Sequence, residues 1–67
     1  MPRDDDEIEV EVEILVSTTR AYRVRSADTE VEAWIAKSQI LDEGTDSAGK
    51  VTSIFVRRWI AEKNELV

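Results

Sequence analysis

The 67-residue chain has no cysteine and no histidine. Without cysteine no disulfide can staple the fold, and the redox compartment cannot be read from thiols. Without either residue an ordinary structural zinc site is excluded, as are Cys–His and Ser–His–Asp nucleophilic machinery. No apolar run approaches the roughly 18 residues of a membrane span. Met1-Pro2-Arg3-Asp4-Asp5-Asp6 lacks an apolar stretch behind a basic start, so no secretory leader is expected and the expected location is cytoplasmic. Glycine is scarce: the two present are Gly44 and Gly49. No metal or cofactor is expected.

A chain this short makes one domain at most and buries a thin core. Pairing with a second copy is then the remaining source of extra burial. The formal net charge is −6, and it is uneven. Residues 1–33 hold four arginines against ten acids, whereas residues 34–67 balance five cations with five acids. The amino-terminal half therefore repels nucleic acid and anionic lipid at long range.

What the chain does have is alternation. Glu7-Ile8-Glu9-Val10-Glu11-Val12-Glu13-Ile14-Leu15-Val16 places acid and apolar residues with a period of two. That period belongs to a half-buried strand and not to a helix. Arg20 to Arg25 alternates again, and Glu30 to Ala36 reads as a third strand that could run on to Ile40. Ser17–Thr19 and Ser26–Thr29 read as polar turns. The stretch 42–49 holds both glycines and no large apolar residue, so it reads as the longest loop. Val51–Val56 suits a fourth strand, and residues 57–66 suit a short helix. A helix beginning near Ser53 is the alternative, since Phe55, Val56, Trp59 and Ile60 also recur at helical spacing.

The predicted fold is therefore α+β and mainly β. It is a four-stranded antiparallel meander with one short carboxyl-terminal helix, and a small barrel-like form is its closed alternative. Residues 1–6 form a disordered acidic tail in this reading, and residues 7–67 a single β-rich domain.

A three-residue first turn and a four-residue second turn set two rows across three strands, Glu11–Arg25–Glu30 and Glu13–Arg23–Glu32. Val12, Ile14, Tyr22, Val24, Val31, Ala33 and Ile35 then share the opposite face. Leu15, Ala21 and Trp34 fall beyond the ladder on the charged side. The bland reading covers Trp34 with a loop or the helix. The functional reading makes Trp34 with Leu15 a contact for a partner or a second copy, since tryptophan is a favoured interface anchor.

Gly44-Thr45-Asp46-Ser47-Ala48-Gly49-Lys50 matches a phosphate-binding loop until Val51, where a Ser or Thr hydroxyl is needed for Mg²⁺. Asp46 would repel phosphate, so a solvated loop is the better reading. The acidic strand could mimic a polyanion. Its carboxylates repeat about every 6.8 Å, against one charge per roughly 3.4 Å on a DNA strand, so one row is too sparse alone. The commoner use of such charge is to keep a strand soluble. Arg57, Arg58 and Lys63 around Trp59 suggest a nucleic-acid surface, with Lys37 as a further cation. Trp59 and Ile60 are more often core than platform, and Arg58 can pair with Glu62 four residues on. No two carboxylates are marked as sharing a pocket, so no enzyme is expected.

Glu32-Ala33-Trp34-Ile35-Ala36-Lys37-Ser38-Gln39-Ile40, followed by Trp59-Ile60-Ala61-Glu62-Lys63, resembles small proteins of phages and other mobile elements. Their pattern is an aromatic-apolar-Pro-Lys-Ser-Gln-apolar strand end, then a strand and a short Trp-bearing helix. Ala36 stands where proline is usual, and the acidic first strand is an addition. The likeness covers about half of the chain. It implies the strand–helix ending and a mobile-element origin, and no activity. It adds Lys37 and Gln39 to the contact candidates.

These readings converge on a non-catalytic module that masks a basic surface on a partner protein. Leu15, Trp34, Lys37 and Gln39 would supply contacts, and Glu9, Glu11 and Glu13 would steer association. The alternatives are a single-stranded nucleic-acid binder using Lys37, Arg57, Arg58 and Trp59, and a structural homo-oligomer.

Overall fold

The computed structural model describes residues 6–67. The expected acidic tail at 1–6 lies outside them except for Asp6, whose carbonyl accepts the Arg58 amide at 2.7 Å. Five strands are present: β1 (Glu7–Ser17), β2 (Ala21–Ser26), β3 (Glu32–Ala36), β4 (Ile40–Thr45) and β5 (Val51–Arg57). A 3-10 turn at Lys37–Gln39 joins β3 to β4, and α1 (Arg58–Lys63) ends the fold. All pairings are antiparallel, in the order β3-β2-β1-β5-β4. No helix among the described residues is long and apolar enough to cross a membrane.

Alternation puts Val10, Val12, Val24, Ile35, Ile54 and Val56 into one core, closed by Ile60 and Ala61 of α1 and by Leu66. Each of the valine, isoleucine and leucine side chains stabilises the fold by about 1.5–3 kcal/mol when fully buried. Ile14, Tyr22 and Ala33 pack against this core as the alternation predicts. Strand before helix is the observed ending, with the helix starting at Arg58 rather than near Ser53 and stopping at Lys63 rather than 66.

Several expectations are corrected. The sheet has five strands, not four, because residues 40–45 form β4, which takes in the first four residues of the loop expected at 42–49. β3 stops at Ala36 instead of running on to Ile40, since the 3-10 turn intervenes. The simple meander covers only β1, β2 and β3; β5 returns to pair with β1, which makes β1 central.

Glu7–Glu11 of β1 pair with β5, whereas Val12–Ser17 pair with β2. This stagger coils the sheet. Four Cα steps from Ala36 to Ile40 reach at most about 15 Å, whereas the edges of a flat five-stranded sheet would lie roughly 19 Å apart. The Tyr22 hydroxyl of β2 accordingly reaches the Glu43 carboxylate of β4, 3.0 Å away, over two intervening strands. β3 and β4 do not pair, so the sheet stays open between them.

The register also differs from expectation. Glu13 faces Arg25 rather than Arg23, Ile14 faces Val24 rather than Tyr22, and Arg25 faces Glu32 rather than Glu30. Each of these slips is two residues, so these side chains keep their faces while their partners change.

Candidate interaction surface

The outward carboxylates of β1 fall into two environments. Glu13 and Arg25 approach to 3.5 Å, Arg25 and Glu32 to 3.5 Å, and Arg23 and Glu32 to 3.2 Å. These pairs are exposed and stabilise by about 0.2–1 kcal/mol each. Glu9 and Glu11 lie outside that network, and among the described residues no cation sits within salt-bridge distance of either. The slip in register is the reason. It moves Arg25 from Glu11 to Glu13 and leaves Glu11 facing Ser53 of β5.

Glu9 is held from behind. The Ser53 hydroxyl donates to its carboxylate at 2.8 Å, and Ser53 is buried. Gly44 faces Ser53 from β4. A Cβ at position 44 would run into the Ser53 hydroxyl, so glycine makes room for this bond. Beside it lies an open hollow of about 400 Å³, lined by Glu9, Val10, Glu11, Ala27, Asp28, Leu66 and Val67. An adjoining hollow of about 370 Å³ shares Glu9, Glu11 and Ala27 and adds Val12, Thr52 and Ser53. The carboxylates of Glu9, Glu11 and Asp28 line the first hollow beside Ala27 and Val67, an arrangement that matches a long cationic side chain: its head meets the acids and its stem lies along the short apolar side chains.

Trp34 is 49% exposed on β3, with the Arg23 guanidinium 5.8 Å from its ring centre. Arg23 faces Trp34 on one side and Val16 on the other. Val16 therefore fills the outward place assigned to Leu15 by alternation. A bulge between Ile14 and Val16 absorbs Leu15, which is half-buried, and Val16 is 43% exposed. No period-two signal reveals a bulge, so sequence reasoning missed Val16. Seven residue steps along β1, roughly 23 Å, separate Glu9 from Val16. The structure thus gathers Glu9 with Glu11 and keeps them apart from the Trp34 row.

Lys37 lies in the 3-10 turn with its ammonium 4.6 Å from the Tyr22 ring centre, and Gln39 ends that turn exposed. Ile40 faces Val56, which sets this turn at the end of the sheet where β5 runs into α1. Arg57 is exposed there, Trp59 is 42% exposed, and Arg58 is half-buried with its Nε enclosed and without a hydrogen-bond partner among the described residues. The bond to Glu43, followed by burial and the nearby negative charge, raises the Tyr22 phenol above its ordinary value of 10.0.

The glycine-bracketed segment is a hairpin turn. Asp46 Oδ1 accepts the amides of Ala48 and Lys50 at 2.9 Å each, and Gly49 sits at φ +83°. The carboxylate already satisfies amides that a phosphate would need.

No protein-family model matches this chain, no curated protein matches it, and no solved structure matches it.

Proposed function

We propose that this chain is a non-catalytic interaction module that covers a basic surface on a partner protein through the Glu9–Glu11 face. The observation that carries the reading is the register of β1 against β2. It neutralises Glu13 with Arg25 and leaves Glu9 and Glu11, among the described residues, without a cation beside the hollow. Two carboxylates so placed steer a cationic surface during encounter and meet its lysine or arginine on contact. Lys37 and Gln39 are contacts for a partner wide enough to reach the other end of the sheet. The resemblance to phage and mobile-element proteins supplies a setting, in which a host DNA-binding effector loses access to its target.

The test uses wild type and the Glu9→Gln/Glu11→Gln variant as paired baits in host extract. The expected result is a basic protein retained by wild type and lost with the variant, with an association rate that falls as salt rises. Identical captures by both baits would refute the reading. The competing reading is a single-strand binder, supported by the placement of Lys37, Arg57 and Trp59 at one end of the sheet. It predicts oligonucleotide binding that strengthens at low salt.

A further inference from the structure

The two edge strands are not equally guarded. β4 carries a bulge at Leu41 and the acids Asp42 and Glu43, and Asp42 Oδ1 accepts the Glu43 amide at 2.8 Å. Bulges and charges are what native sheets use to blunt an edge. β3, Glu32-Ala33-Trp34-Ile35-Ala36, pairs with β2 without a bulge and has neither proline nor any charge beyond Glu32 at its start.

The phase of its backbone follows from two bonds. The Ser26 amide donates to the Val31 carbonyl at 2.9 Å, and the Lys37 amide donates to the Arg20 carbonyl at 2.8 Å. Both lie on the register that sets Val24 opposite Ala33 and Tyr22 opposite Ile35. Bonded and non-bonded pairs alternate along an antiparallel ladder. Ala33 and Ile35 thus aim their backbone groups at β2. Glu32, Trp34 and Ala36 aim theirs along the open edge.

We propose that β3 is a self-pairing edge, at which two copies of this chain join antiparallel about a two-fold axis through Trp34. In that register Trp34 faces Trp34 of the second copy, and Glu32 faces Ala36 on both sides of the axis. Donors meet acceptors at these positions and no like charges oppose each other. The outward row becomes Arg23, Trp34, Trp34, Arg23, so each exposed indole is covered by the other while its arginine flanks it. The net charge of −6 does not oppose this at short range. Arg23 and Arg25 balance Glu13 and Glu32 around the joint, whereas Glu9 and Glu11 lie toward the far end of β1. The occupant is a second copy because the edge is self-complementary in both hydrogen bonding and charge.

Sedimentation equilibrium from on the order of 10 μM to 1 mM tests this, a range suited to a small interface. The expected mass rises from 7.6 kDa to twice that. Hydrogen exchange at high concentration should newly protect the Trp34 and Ala36 amides, with Ala33 and Ile35 protected throughout. Ala36 already has φ −63°, the angle proline fixes. Ala36→Pro thus keeps the backbone and removes a donor on the open edge, and association should weaken at least about tenfold. Trp34→Glu, which sets two carboxylates at the axis, should do the same in a chain of unchanged far-ultraviolet dichroism. A wild type that stays at 7.6 kDa throughout would overturn the proposal. So would undiminished association of the folded Ala36→Pro variant, or new protection confined to β4.

Discussion

The Ser26 hydroxyl donates to the Leu66 carbonyl at 2.6 Å, and both residues are fully buried. The same oxygen accepts the amides of Asp28 and Thr29 at 3.2 and 3.3 Å, and the Thr29 hydroxyl donates to the Glu65 carbonyl at 2.7 Å. One turn thus clamps the segment that seals the core. A polar residue at a core position is tolerated because each of its bonds is made.

Ser26→Ala should therefore cost about 1–3 kcal/mol, since it strips the partner from a buried carbonyl. The urea midpoint would fall with the slope unchanged. A variant within about 0.5 kcal/mol of wild type would show that the clamp contributes little.

Glu65 closes α1 in the left-handed region, at φ 59°. The Leu66 amide bonds the Ala61 carbonyl at 2.8 Å and the Glu65 amide bonds the Glu62 carbonyl at 3.1 Å, the paired bonds of a Schellman end. Glycine is the usual residue at this place because it has no Cβ to strain. Glu65→Gly should raise stability by about 0.5–1 kcal/mol, and Glu65→Val should lower it, as read from thermal unfolding. A lower melting temperature for the glycine variant would contradict this account.

Tyr22 links pH to stability through its bond to Glu43. Its phenol is raised above 10.0, so the folded chain keeps this proton to higher pH than the unfolded chain does. The contribution is whole below the unfolded value and is lost as pH rises through the folded one. Glu43→Gln removes the acceptor charge and should bring the phenol back toward its ordinary value in an ultraviolet titration. An unmoved titration would mean that Glu43 does not control it.

Legibility differed between elements for physical reasons. β1 was readable because one face is buried and the other wet, which prints a period of two onto the residues. β4 was not, because a bulged edge strand with Asp42, Glu43 and Gly44 buries little and loses the alternation at Leu41. The same blindness to bulges put Leu15 on the outward face, where the structure instead sets Val16, opposite Arg23.

The candidate face shows the division most clearly. Alternation already placed Glu9, Glu11 and Glu13 on one side. It could not say which of them meets Arg25, since a slip of two residues leaves every face unchanged. Pairing with Arg25 was assigned to Glu11 and belongs to Glu13.

Sequence by itself determined that the chain is mainly β, that Val12, Val24 and Ile35 turn to the buried face, and that strand gives way to helix near its end. These follow from local periodicity and propensity, which each segment carries alone. Tertiary structure decided the return of β5 to β1, the opening of the sheet between β3 and β4, and which carboxylates keep a cation. Those depend on contacts between segments far apart in the chain, where turn length and bulges set the register and no residue pattern records it.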